Sequence, residues 1–402
     1  MGKLMEGSTA LSLVAVLIAS LSLGKVSQLA RIQGPLAPNS TERSVPAGDT
    51  VLPDTYYEYS LSVLDRVALF PTVQHVTTED LLAWDDRMFA LIEKQRLPPT
   101  AASRIYAYVL TGQHDFVRLS EYLRGEEQGS IGIVTAELLC LFFPEECADL
   151  QEGLPTDPYS NALASAVAGQ AKLRIIEENA LKKPYARKDD PTLWFGENPV
   201  TPDAGSWKTW LIGSASKFRA PQPPAFDSAE DRAEVEAVVD ALAQLTDDQH
   251  EKVLFWAGGP GTATPAGIWL KITDGYIAGN RIDLSNALDV RATLAMGLAD
   301  AFIVCWDTKF TYWTQRPFMR DPRIATVIPT PNFPSYTSGH SAVSAAAATI
   351  LTHYFPTEGS EWMRMAEEAR DTRLWSGIHF PIDNERGFEM GVKVAEKVLG
   401  RL

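Results

Sequence analysis

Three short segments in the last hundred residues carry side chains suited to holding and transforming a small anion. In "DAFIVCWDTKFTYWTQRPF", a helix would place Trp306, Lys309, Trp313 and Arg316 on one face. Burying two cations beside two tryptophans is costly unless an opposite charge meets them, so this face expects an anion, either a carboxylate or a ligand. Snorkelling side chains on a surface helix are the plainer alternative.

The second segment is "FPSYTSGHSAVSAAAATI", residues 333–350. Ser338 and Gly339 end a proline-containing loop, and Val343, Ala347, Ile350, Leu351 and Tyr354 mark the buried face of a following helix. The triplet Ser338-Gly339-His340 therefore stands at a helix N-terminus, where free amides and the positive end of the helix dipole favour an anion. Gly339 allows a ligand close to the backbone, Ser338 can donate its hydroxyl, and His340 in the first turn can exchange a proton. An ordinary cap followed by a surface histidine would also account for the triplet by itself.

The third segment, "RLWSGIHFPID", adds Arg373, His379 and Asp383. A histidine near arginine is disfavoured as imidazolium, so His379 is expected neutral, with a ring nitrogen available to attack phosphorus or ligate a metal. Asp383 can orient that ring, as carboxylates do for metal-bound histidines, or it can be a solvated loop residue.

The elements that must position these residues read as helices. Segments 78–95 and 100–123 carry apolar residues at helical spacing, with "LPPT" as a break between them. Residues 184–226 contain seven prolines and several aromatics, a long irregular loop packing over something. Ser228 with Asp231 and Thr246 with Gln249 resemble capping boxes, and Val235, Val238, Val239, Leu242 and Leu245 form one stripe. No alternating strand run and no solenoid repeat is present, which predicts an all-α helical bundle.

The chain has 402 residues, 45% of them hydrophobic and 22% charged, which is globular composition with ample length for a core. Its net charge of −15 and lack of basic runs exclude a general nucleic-acid-binding surface. "ALSLVAVLIASLSL", Ala10 to Leu23, has the length of a secretory h-region, so residues 1–30 are expected to be a signal peptide or N-terminal anchor and the protein exported, periplasmic or extracellular. A buried helix is the alternative. Residues 31–54 read as a flexible tether and 55–402 as a single catalytic domain. No later apolar run is long enough for a bilayer span. Of three cysteines, Cys140 and Cys147 can pair if the protein is exported, while Cys305 reads as buried.

Taken together, Lys309-x6-Arg316-Pro317, Pro334-Ser335-Tyr336-Thr337-Ser338-Gly339-His340 and Arg373-x5-His379-x3-Asp383 closely resemble the tripartite signature of the type 2 phosphatidic acid phosphatase (PAP2) and vanadium haloperoxidase superfamily. The departures are Thr337, where many members have proline, and Thr372, where serine is usual. The resemblance implies an all-α core of that type and an oxyanion pocket. Lys309, Arg316 and Arg373 would be its anion-binding cations, Ser338 and the Gly339 amide its oxygen donors, and His340 its acid-base residue. His379 would bond the central atom, vanadium in the peroxidases or phosphorus in the phosphatases.

Phosphate and vanadate are near-isosteric, so the pocket takes either and the surroundings must decide. Trp306 and Phe333 stand where the haloperoxidase branch lines its halide site, and "FWAGGPGTATPAGIW" with "LADAFIVCWDTK" is similar to soluble bacterial haloperoxidase-like members. The same two aromatics could also be plain core residues. The leading expectation is a haloperoxidase using vanadate, hydrogen peroxide and halide, without haem. The alternative is a PAP2-type acid phosphatase acting on phosphomonoesters through a phosphohistidine, and a non-catalytic oxyanion-binding protein is a third class. A homo-oligomer is compatible with each.

Overall fold

The structure, a computed structural model, describes residues 70, 74–183, 185–186 and 189–402. The expected leader, tether and start of the folded part near residue 55 lie outside the described residues. Regular structure among the described residues is helical, with 13 α-helices, short 3-10 turns and only isolated β-bridges. No described helix is long and apolar enough to cross a membrane.

The first helices are α1 (Thr78–Lys94), α2 (Pro99–Arg124), α3 (Ile131–Cys140), α4 (Cys147–Gln151) and α5 (Pro158–Leu181). The described chain forms two compact units whose boundaries fall inside α1, α2 and α5. The first unit contains the described residues up to Trp84 together with Gly112–Ile175. Its α3 is apolar and buried nearly all round, and Gly132 lets it lie against the Trp84 indole, where a Cβ would come within 2.6 Å of Nε1. Asp157 starts α5 by accepting the amides of Tyr159 and Ser160 at 3.0 and 3.2 Å, with Pro158 at the first helical position. Cys140 and Cys147 are joined by a disulfide.

The second unit contains Asp85–Thr111 and Ile176–Leu402. Its later helices are α6 (Ala229–Ala243), α7 (Asp247–Phe255), α8 (Thr264–Asn280), α9 (Leu284–Tyr312), α10 (Pro317–Arg320), α11 (Gly339–Tyr354), α12 (Gly359–Trp375) and α13 (Pro381–Leu399). The 29-residue α9 is started by Asp283, which accepts the Asn286 amide at 2.9 Å, and it is buried along most of its length. α11 packs against α9, α12 and α13. It is buried on nearly all sides, so the single face expected from the sequence is too narrow, and Tyr354 is only half-buried. Gly387 and Gly391 let α13 approach α11 closely. A Cβ on Gly387 would lie 2.6 Å from the Ser338 carbonyl oxygen, and one on Gly391 would collide with that of Ala342.

The Thr246–Gln249 capping box is complete. At the start of α6, Ser228 accepts the Asp231 amide, but the Asp231 carboxylate returns to Asp227 N–H at 2.8 Å, one residue earlier than a standard box. Val235 and Val238 form a core with Ile324 and Phe380, with Val239 and Leu242 packed on it and Leu245 outside it.

The proline-rich loop fastens to α9. The buried Asp300 carboxylate accepts the amides of Trp210, Leu211 and Ile212 at 2.7, 2.9 and 3.2 Å, and Arg219 forms a bidentate pair with Asp307 at 2.7 and 2.9 Å. Asp300→Ala leaves three amides without acceptors, so we expect a loss of about 3 kcal/mol or more. A lower urea midpoint at unchanged slope would show it, and an unchanged midpoint would mean that the loop does not depend on this carboxylate.

Candidate functional site

The candidate residues come from four places in the second unit. Lys309 lies in the last turn of α9, Arg316 follows that helix, Ser338-Gly339-His340 starts α11, and Arg373 through Asp383 spans the end of α12 and the start of α13. The expectation that one helical face carries Trp306, Lys309, Trp313 and Arg316 is corrected. α9 ends at Tyr312, Trp313 adopts a left-handed conformation with φ 57°, and Arg316 is extended before Pro317. The left-handed residue stops the helix with Trp313 N–H bonded to the Lys309 carbonyl. Arg316 reaches the site from the connecting segment instead.

Lys309, Arg316 and Arg373 are each completely buried, at 0% exposure. The Lys309 ammonium donates to the carbonyls of Pro334 and Ser335 at 2.9 and 2.7 Å. Arg316 donates to the carbonyls of Phe333 and Ile378 at 2.8 and 2.9 Å, while its Nη2 has no partner among the described residues. Arg373 is held by Thr372, whose hydroxyl accepts from Nε at 3.1 Å and Nη2 at 2.8 Å and donates to the Ala369 carbonyl at 2.7 Å. The threonine noted as a departure from the usual serine thus keeps the hydroxyl.

The histidines complete the cluster. His379 Nδ1–H donates to Asp383 Oδ2 at 2.8 Å, and its Nε2 faces Arg316 Nη1 at 3.1 Å. The same carboxylate oxygen takes the Ser335 hydroxyl and, at 3.2 Å, the Phe380 amide. His340 Nε2 faces Arg373 Nη1 at 3.4 Å. Burial first, and then the nearby cations, push both histidines well below the usual range: Arg373 acts on His340, and Arg316 and Lys309 on His379. Both rings are therefore neutral near pH 7. Burial raises the Asp383 carboxyl, opposed by Ser335 and Lys309. Three donors on one oxygen favour its charged form against that burial.

Ser338 caps α11 by accepting the Ser341 amide at 3.3 Å and the Ser341 hydroxyl at 2.9 Å, which leaves its own O–H to donate. Its backbone N–H is tied to the Asp383 carbonyl at 2.9 Å. Phe333 stacks beside the cations, its ring centroid 5.1 Å from Lys309 Nζ and 4.9 Å from Arg316 Cζ, and 4.8 Å from the Trp306 ring. Sequence reasoning assigned no role to Ser335 or Thr372. Ser335 sits inside a quoted segment and Thr372 just before one, but which partner a hydroxyl turns to has no periodic signal.

Residues 290–396 match the PAP2 superfamily. That segment contains every candidate residue described above. Three solved structures share the fold. A bacterial vanadium-dependent iodoperoxidase is 24% identical, with a TM-score of 0.71 covering 82% of this chain and 98% of that one. Apo and holo forms of a bacterial vanadium-dependent chloroperoxidase are 15% and 16% identical, with TM-scores of 0.59 and 0.61. They cover 76% and 84% of this chain, and 95% and 97% of theirs. No curated protein sequence matches. At these identities the likeness is one of fold.

The PAP2 segment fits a tetrahedral oxyanion on its own chemistry: three buried cations meet one carboxylate, and a buried guanidinium nitrogen has no partner among the described residues. Removing any one of Lys309, Arg316 or Arg373 as alanine should weaken vanadate or phosphate binding by about 1.5 to 3 kcal/mol, read by calorimetry. Unchanged affinity would remove that residue from the pocket.

Burial, reinforced by Arg316, lowers the Lys309 ammonium to about 7. Below that pH the group is charged and ready for an anion; above it, binding must take up a proton, so affinity falls with rising pH by up to about tenfold per unit. Sulfate, whose own charge is constant across this range, should show the fall, and Lys309→Met should flatten it. A flat wild-type profile would show that Lys309 keeps its proton throughout.

Proposed function

We propose that the chain is a vanadium-dependent haloperoxidase-like enzyme that uses hydrogen peroxide to oxidise halide. The observation that carries this reading is the buried pair of His379 and Asp383 among three cations, with Trp306 and Phe333 packed beside Lys309. The likeness to vanadium-dependent peroxidases over nearly their whole length supports it. Bound vanadate would supply a Lewis acid for peroxide and halide without changing its redox state, so no haem is needed.

The protein's own contributions follow from the geometry. Lys309, Arg316, Arg373, the Ser338 hydroxyl and the Gly339 amide would hold the oxyanion and stabilise its negative charge in a low-dielectric site. Asp383 fixes the proton of His379 on Nδ1, so Nε2 carries the lone pair that would hold the vanadate. His340 keeps an unprotonated Nε2 toward Arg373 and is partly exposed, which suits it to exchange protons with peroxide. The two aromatic rings exclude water from the reacting oxygen and present positive ring edges to a halide.

A PAP2-type acid phosphatase is the second reading, favoured by the same neutral His379, whose Nε2 lone pair could attack a phosphomonoester while His340 protonates the leaving alcohol. In either case we place the protein outside the cytoplasm, cleaved from or anchored by its apolar leader. The Cys140–Cys147 disulfide fits an oxidising compartment.

The deciding experiment compares vanadate-loaded protein given peroxide and iodide, bromide or chloride with vanadate-free protein given a phosphomonoester. Halide oxidation supports the peroxidase reading; its absence, with phosphomonoester turnover, transfers the assignment to the phosphatase; neither activity leaves an anion-binding protein. His379→Ala should abolish turnover in both chemistries while leaving the fold intact, and near-normal activity would remove its central role. Phe333→Ala should shift the chloride-to-bromide ratio with vanadate affinity nearly unchanged. An unaltered ratio would make Phe333 a packing residue.

A further inference from the structure

Helix α6 lies outside the PAP2 segment, yet it touches the chain next to several of the candidate residues. Asp231 forms a bidentate pair with Arg320 at 3.0 and 2.6 Å, four residues beyond Arg316. Leu242 packs on Gly377, between Arg373 and His379, where a Cβ would come within 3.0 Å of it. Val235 and Val238 pack with Phe380, the neighbour of His379. The contact with most consequence is made by Glu234, whose Oε2 accepts the backbone N–H of Ile382 at 2.8 Å.

Ile382 is the second residue of α13, so its N–H is one of the amides that a helix start leaves without an intrahelical acceptor. The carbonyl four residues earlier, Ile378, is already taken by Arg316 Nη1 at 2.9 Å. If Ile382 N–H lost this acceptor, it would compete for that carbonyl or stay unpaired, because Pro381 keeps Phe380 extended, with ψ 156°, and stops the helix growing back through His379. We propose that Glu234 is a positioning residue for the candidate site: by accepting Ile382 N–H it keeps the Ile378 carbonyl on Arg316 and holds the first turn of α13 where Asp383 meets His379. Glu234 is half-buried and bonds the backbone of Ile382 rather than a candidate side chain, so its role is indirect. The consequence for anion affinity rests on the oxyanion-site reading above; the consequence for His379 does not.

The test uses the whole chain with three substitutions. Glu234→Gln keeps an acceptor oxygen, Glu234→Met keeps the volume and removes the acceptor, and Glu234→Ala removes both. With histidine labelled by nitrogen-15 and the His379 signal assigned by its loss in His379→Gln, exchange of the Nδ1 proton with water is measured without any anion. Glu234→Met should speed this exchange by on the order of tenfold, the equivalent of one ordinary hydrogen bond, and Glu234→Gln should restore it to near wild type. Sulfate affinity should fall by on the order of tenfold in the methionine variant and recover with glutamine. If sulfate does not bind wild type, the oxyanion reading fails while the exchange comparison still decides the role of Glu234.

Wild-type exchange in the methionine variant would overturn the proposal, since it would mean that water in the cavity of about 290 Å³ lined by Glu234 and Asp383 replaces the carboxylate equally well. Equal acceleration by methionine and glutamine would also overturn it, because charge rather than the accepted hydrogen bond would then matter. Should the methionine variant fail to fold, the alanine variant is read against glutamine by the same criteria.

Discussion

The structure depends on the burial of three cations against a single carboxylate. Removing an ammonium and two guanidinium groups from water costs several kcal/mol each, and one nearby carboxylate, bonded to His379 rather than to any of the three, cannot offset that. The protein meets most of the cost with backbone oxygens and one hydroxyl. Pro334 and Ser335 carbonyls serve Lys309, Phe333 and Ile378 carbonyls serve Arg316, and the Thr372 hydroxyl serves Arg373. Carbonyls carry only partial charge, so the donors are satisfied while the positive potential is left largely intact. A site neutralised by carboxylates would be easier to fold and useless for an oxyanion.

That solution makes the backbone path part of the site. The carbonyls that hold Lys309 and Arg316 belong to residues 333–335 and 378, so a shift in either loop moves the cations. The Ser338 amide on the Asp383 carbonyl joins the two loops, and Gly387 permits the approach that allows it. The positive field has a second effect. It adds to burial in keeping both histidines neutral, so each has an unprotonated nitrogen for a ligand, while Asp383 ensures that for His379 this nitrogen is Nε2.

Much of the fold and of the candidate site is legible in the sequence because both depend on local pattern. Helical spacing in "TEDLLAWDDRMFALIEKQ", the caps at Ser228 and Thr246, and the Ser338 helix start each involve residues within a turn of one another. The three cations were recognisable by type and order. What misled was continuity: apolar spacing runs smoothly from Trp306 to Arg316, and nothing in it marks Trp313 as left-handed, because that conformation is imposed by packing among Trp194, Phe310 and the loop. Hydroxyls such as Ser335 were invisible for a related reason, since their value lies in a partner 44 or 48 residues away.

The residues least visible in sequence share one task, which is to supply acceptors to amides that local structure leaves unpaired. Asp300 does so for three loop amides, and Glu234 does so for the first turn of α13. Glu234 lies outside residues 290–396 although the amide it serves lies within them, while Asp300 lies within them and serves a loop outside. A buried amide cannot be left without an acceptor, yet any oxygen of suitable geometry can meet the need. The requirement is strict and the identity of the residue is not, so these supports can differ between proteins that keep the same three cations and two histidines. A strict requirement met by interchangeable residues fits a fold shared over 76 to 84% of this chain at only 15 to 24% identity.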